Sequence, residues 1–215
     1  MAVLEEIITA IEQGRRRQLK MLIEEAVEEG ISPEQILNEG FLPAMDNVSR
    51  KYHNEQFFVP EVILASQAMN VGTAILEEYL GGQQPPSIGR VVIGTVKGDL
   101  HNIGKNIVVM MLRGAGFEVI DLGYDVSVDA FLDTAQACEA DIICMSAMLT
   151  TTMAEMKKVI GRLVNRRLRD RYIVMVGGAP VTAAYAMAIG ADIYTEDAGS
   201  AALMAKEAMR KKGKL

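Results

Sequence analysis

The apolar pattern of this 215-residue chain changes period once, and that change limits what it can fold into. Up to residue 80, apolar residues recur at helical spacing. They are Ile7, Ile8 and Ile11; Leu19, Leu22, Ile23 and Val27; Ile36, Leu37, Phe41, Met45 and Val48; and Val62, Ile63, Ala65, Ala68 and Met69. Such spacing lines one face of each helix. Gly14, Gly30 and the polar residues 53–56 separate the four segments. Ser32-Pro33 with Gln35 reads as a helix start, with the serine hydroxyl on a free amide and Gln35 completing the capping box. Short links between four helices predict a small four-helix bundle over residues 1–80.

After residue 90 the helical repeat gives way to short β-branched runs at 90–96, 117–122, 141–146 and 172–177, with a weaker one at 192–195. Helical patterns fill the gaps, at 103–115, 128–139, 152–167, 181–189 and 197–211. Continuous apolar strands alternating with helices predict a parallel sheet covered on both faces. Five such units predict an α/β domain over residues 90–215, with a flavodoxin-like, doubly wound, five-stranded parallel sheet. Between the halves, Gly81-Gly82-Gln83-Gln84-Pro85-Pro86-Ser87 mixes flexible and stiff residues without periodicity, so 81–89 reads as a linker.

Charge and cysteine usage exclude several functions. A net charge of −6 and a pI near 5.1 leave no basic face for nucleic acid. No apolar run approaches the roughly 20 residues a bilayer span needs, so no membrane partner is expected. The N-terminus is acidic before it is basic and lacks a secretory pattern. Cys138 and Cys144 form no CxxC pair and suit buried thiols in a reducing cytoplasm. Met110, Met111, Met145, Met148, Met153 and Met175 fall in or beside core elements, where they fill gaps or line a large flat ligand.

In doubly wound sheets, ligands sit at the carboxyl ends of the strands. The first such loop is Lys97-Gly98-Asp99-Leu100-His101-Asn102-Ile103-Gly104-Lys105. It is not a phosphate loop. Five residues separate Gly98 from Gly104, and Asn106 stands where a hydroxyl would hold magnesium. What it offers is an imidazole two residues from a carboxylate, in a chain with two histidines. A carboxylate on one ring nitrogen sets the tautomer and raises the basicity of the other. Taken alone, the pair reads as a surface histidine beside an aspartate. One histidine cannot hold a bare ion, so a metal role requires a metal that brings its other ligands, as a tetrapyrrole-like cofactor does.

Asp99-Leu100-His101-Asn102-Ile103-Gly104 resembles the DxHxxG signature of cobalamin-binding domains. Ser146-Ala147-Met148 stands where that family has SxL, with methionine replacing leucine, and Thr150 follows. Val176-Gly177-Gly178-Ala179 is similar to the glycine pair of the family's fourth strand, and Tyr194-Thr195-Glu196-Asp197-Ala198 to its last loop. Phe57-Phe58-Val59-Pro60-Glu61-Val62, followed by Ala68-Met69, looks like the helical cap region that precedes the domain. The likeness covers nearly the whole chain. It points to the small corrinoid proteins of methyltransferase systems that serve methylamines, methanol, methoxylated aromatics or betaines. The cobalamin-binding region of methionine synthase is similar.

The resemblance implies a bound cobalamin, as methylcobalamin or a related corrinoid, whose own base is displaced and whose cobalt is held by His101. Asp99 would accept from the other ring nitrogen, and Thr152 would extend the pair. Gly98, Leu100, Asn102, Ile103 and Gly104 would also bind the cofactor, with Gly104 letting backbone approach its nucleotide tail. Ser146, Met148, Thr150, Gly177, Gly178, Tyr194 and Ala198 would receive the detached nucleotide tail, with free amides at the last helix start meeting its polar atoms. Phe58 would cover the upper face, with 81–89 as hinge. The implied role is to carry a methyl group on cobalt from a substrate-specific methyltransferase to a second one, with tetrahydrofolate or a thiol as acceptor. A reductive activator would restore the cofactor. With no independent catalytic constellation, the chain reads as a non-catalytic subunit of that system. A cobalamin-sensing regulator would need a basic DNA-binding module that this acidic bundle does not supply. A mutase subunit would need its upper face open to a partner barrel.

Overall fold

Turn and capping residues set where the N-terminal helices begin and end. The computed structural model describes residues 2–79 and 87–213. Helices α1 (Ala2–Glu12) and α2 (Arg16–Glu28) meet at Gly14, whose φ of 66° is the left-handed conformation that closes a helix. Ser32 caps α3 (Pro33–Ile36), its hydroxyl accepting the Gln35 amide at 3.2 Å. The Gln35 side chain does not complete the expected box. It reaches forward to Glu39 at 3.3 Å, a neighbour one turn along. The helix widens into a π segment at Leu37–Phe41 and resumes as α4 (Leu42–His53). In α5 (Val59–Tyr79), Glu61 takes the otherwise unpaired Phe58 amide at 2.9 Å.

Ile7, Ile11, Leu19, Ile23, Phe41, Met45 and Leu76 are fully buried and form the core of this helical unit. Gly72 permits the tightest contact: a Cβ there would lie 2.6 Å from the Phe41 ring. Helix α5 corrects one expectation. Its 21 residues and mean hydropathy of 1.2 make it long and apolar enough to cross a bilayer. Yet Val62, Ala65, Ala68, Met69 and Leu76 are buried as it packs against α1, α2 and α4, as in the core helix of a bundle.

A second compact unit, 88–113 with the chain from Phe117 onward, holds the sheet. Its strands are β1 (Arg90–Thr95), β2 (Glu118–Asp121), β3 (Ile142–Ser146), β4 (Ile173–Gly177) and β5 (Ile193–Tyr194). All pair in parallel, in the order β2-β1-β3-β4-β5. The connecting helices are α6 (Ile103–Gly114), α7 (Val128–Ala137), α8 (Met153–Asn165) and α9 (Ala183–Ile189), and α10 (Ala198–Lys211) follows β5. The central strands are buried nearly throughout, whereas β2, at an edge, is half exposed and departs from the expected cover on both faces. Val92, Ile143, Met145 and Val174 pack with Phe131, Leu132, Met156 and Leu163. Full burial of each such side chain stabilises by about 1.5–3 kcal/mol. Of the expected linker, residues 81–86 lie outside the described residues.

The chain leaves β1 for β2 on one side and then crosses to β3 on the other. The topological switch point therefore lies between β1 and β3, and the loops after these strands flank it.

Candidate cofactor site

Strand β1 ends its pairing at Val96, which bridges to Val126 beyond β2. Gly98, at φ 80°, then turns the chain so that the Asp99 carboxylate is fully buried. Asp99 Oδ1 accepts the His101 amide at 3.1 Å and lies 2.8 Å from His101 Nδ1. Its Oδ2 accepts the Met148 and Leu149 amides at 2.7 and 3.2 Å and the Thr152 hydroxyl at 2.7 Å. Burial opposes the charge. The Met148 amide, the Thr152 hydroxyl and His101 outweigh it and hold the carboxyl well below the usual carboxylate range.

An ionised Asp99 places the imidazole proton on Nδ1 and leaves the Nε2 lone pair to face a ligand. Thr95, buried at the end of β1, donates its hydroxyl to the His101 carbonyl at 3.0 Å. The histidine is thus held at its carbonyl, its amide and one ring nitrogen, while 57% of its side chain stays accessible. Leu100, Ile103, Tyr124, Met148 and Leu149, from the loops after β1, β2 and β3, are all exposed. These large apolar side chains all follow the carboxyl ends of the strands, where doubly wound sheets take their ligands.

The glycines divide by environment. A Cβ on Gly178, at φ 124°, would fall 1.9 Å from the Ala147 carbonyl oxygen, so only glycine fits. A Cβ on Gly177 would make ordinary contact with the Thr195 carbonyl, and one on Gly104 would meet nothing within 4 Å. Ser146 ends β3 between Thr95 of β1 and Gly177 of β4. Thr150 is exposed in the following turn, Asn102 is half-buried, and Tyr194 is half-buried at the end of β5. Ala198 is buried at the start of α10. There the Asp197 side chain takes the Ser200 amide at 2.9 Å, so one of the amides expected to be open is already satisfied. Phe58 belongs to the helical unit and is 64% exposed, so it is not part of that unit's core.

Four contributors went unread in the sequence. Thr95, Asp125 and the Leu149 amide hold the histidine loop or its carboxylate. Lys105 is buried beneath the start of α6 and binds both Asp121 oxygens at 2.6 Å. Thr95 was the one hydroxyl in the β1 run, which was a readable signal. The others declare themselves only through the pairing of β1 with its neighbours.

A helical unit and a doubly wound sheet, with a carboxylate-held histidine at the switch point, define an α/β protein with a candidate ligand site at its strand ends. The chain belongs to the B12-binding family: one B12 binding domain matches residues 89–205 and a second B12 binding domain matches 3–77, and its cofactor is a corrinoid. It is 40% identical over 205 residues to dimethylamine corrinoid protein 3 of Methanosarcina acetivorans, covering 95% of this chain and 96% of that one. A corrinoid protein of Desulfitobacterium hafniense (strain Y51) is 39% identical over 214 residues, covering 98% and 99%. The crystal structure of the methanol:cobalamin methyltransferase complex MtaBC from Methanosarcina barkeri matches with a TM-score of 0.86 at 29% identity, over 97% of this chain and 80% of that one.

Proposed function

We propose that this protein carries a methyl group on corrinoid cobalt ligated by His101, receiving it from a substrate-specific methyltransferase and yielding it to a second one with tetrahydrofolate or a thiol as acceptor. The observation that carries this reading is the buried Asp99 carboxylate, which orients His101 through Nδ1 at 2.8 Å. Among the described residues no group of three His, Cys, Asp or Glu stands together to hold an ion, so His101 suits a metal that arrives with its other ligands. When bound, the corrinoid supplies a cobalt centre able to accept and release a methyl group.

The chain's own residues have distinct tasks in this reading. His101 offers Nε2 to the metal, and Asp99 keeps the proton on Nδ1. The ionised Asp99 fixes the orientation of the ring through its contact with Nδ1. The proton rests on the imidazole, because five hydrogen bonds keep Asp99 a carboxylate. Leu100, Ile103 and Met148 give an apolar platform. Gly104, Gly177 and Gly178 let backbone approach the nucleotide tail, with Ser146, Thr150, Tyr194 and Ala198 along its course. Phe58 of the helical unit would help to keep water from the cofactor, and its exposure supports this. The dimethylamine relative favours a methylated amine as methyl source, and the likeness to a methyltransferase complex favours a methyltransferase partner. A reductive activator completes the set. The free thiols of Cys138 and Cys144 suit a cytoplasmic location.

The test is the visible spectrum of protein reconstituted with cobalamin, wild type beside His101→Ala. The wild type is expected to show the nucleotide base displaced by histidine, and the variant to lack that signature. Coincident spectra would refute the ligand assignment.

A further inference from the structure

Asp99 and His101 lie in the irregular segment 97–102, which belongs to no strand or helix. Its backbone must be held before a cofactor arrives, because ordering it on binding would weaken affinity. The side chain that does so lies outside the motif. In the loop after β2, Asp125 Oδ1 accepts the Gly98 amide at 2.7 Å, and the Asp125 amide donates to the Asp99 carbonyl at 3.1 Å. Two bonds from one residue thereby grip successive residues of the ligand loop.

The backbone at Asp125 narrows what could replace it. Its φ is 54°, in the left-handed region that glycine, asparagine and aspartate enter readily and most residues avoid. The position therefore makes two demands, a left-handed backbone and a short side chain with an acceptor oxygen. Glycine meets the first alone, alanine neither, and asparagine both. The residue is exposed and spends its hydrogen bonds on loop backbone.

We propose that Asp125 is a positioning residue for His101, fixing the Gly98–Asp99 backbone so that the imidazole is aligned in the unloaded protein. The inference rests on the reading of His101 as cobalt ligand and adds a residue from a different loop to it.

The experiment compares D125N, D125G and D125A in the full chain. One readout is the ratio of histidine-ligated to unligated cobalamin in the visible spectrum. The other is the sharpness of the His101 ring signals in the unloaded protein, assigned by their loss in His101→Ala. D125N is expected to match wild type in both. D125G and D125A should lower the ratio about five- to tenfold, the worth of one such hydrogen bond, and broaden the ring signals. Because glycine keeps the left-handed backbone, D125G isolates the carboxylate. A D125G protein with the wild-type ratio and signals would overturn the proposal, as would a D125N protein as impaired as D125A. If wild type and His101→Ala give the same cobalamin spectrum, the ligand reading fails, and the unloaded ring signals still decide whether Asp125 holds the loop.

Discussion

Thr152 donates its hydroxyl to Asp99 Oδ2 at 2.7 Å, from 53 positions further along the chain. The parallel pairing of β1 with β3 makes this possible. Thr95 stands opposite Ser146, so the loops leaving the two strands start side by side. The same hydroxyl lies 2.9 Å from the Leu149 carbonyl, but it has one proton, and the charged carboxylate is the stronger acceptor. The result is a carboxylate tied to both sides of the switch point, with the histidine as its accessible member.

Replacing Asp99 by asparagine should cost the fold about 2–4 kcal/mol at pH 7, because an amide cannot accept all the donors now aimed at one buried carboxylate. The sign with pH follows from the lowered folded-state value. Asp99 contributes stability that is present above its unfolded-state value near 4 and is lost as pH falls through the folded-state value. The gap between wild type and Asp99→Asn should therefore narrow as pH drops below about 4. Urea unfolding at pH 7 and pH 3 measures it; a gap that widens in acid would contradict the assignment.

Gly178 and Gly104 should respond oppositely to alanine. At Gly178 a methyl meets the Ala147 carbonyl on a backbone at φ 124°, and the loss should be about 3 kcal/mol or more, lowering the melting temperature by about 6 °C or more. At Gly104 the methyl enters open space on a helix, and stability should rise by about 0.5 kcal/mol. If the nucleotide tail passes Gly104 closely, that same variant should bind cobalamin more weakly. Melting curves of the unloaded proteins, followed by cobalamin titration, separate the two effects.

Lys105 and Asp121 form a lopsided ion pair, with the Lys105 side chain buried and that of Asp121 28% exposed. Breaking it from the two ends should differ. Asp121→Asn strands a buried ammonium and should cost about 3–5 kcal/mol. Lys105→Met leaves a carboxylate that reaches water and still accepts the Gly123 amide at 2.9 Å, so its cost should be smaller, about 2 kcal/mol. Equal losses in denaturant titrations would mean that the ammonium is not what burial penalises.

Much of the fold was legible because it follows from short-range pattern. The β1, β3 and β4 runs fall within a residue of their observed limits, since buried central strands need unbroken apolar residues. The β2 run is trimmed to 118–121 and β5 to two residues. These edge strands carry a weaker apolar signal, which does not mark where pairing stops. The α5 helix shows the same limit from the other side: its composition would suit a bilayer, and the packing of Val62, Ala65 and Leu76 determines otherwise.

What the sequence determined by itself is local: where the chain turns, which face of each helix is apolar, and that His101 follows Asp99 by two residues at a strand end. Which groups hold that pair was decided only when the strands took their order. Thr152, the Met148 amide and Asp125 are distant along the chain from Asp99, and only lateral pairing on either side of β1 brings them within 3.1 Å of its segment. Hydrogen bonds act over about 3 Å of space, whatever the separation along the chain, so a site assembled from three loops becomes visible only in three dimensions.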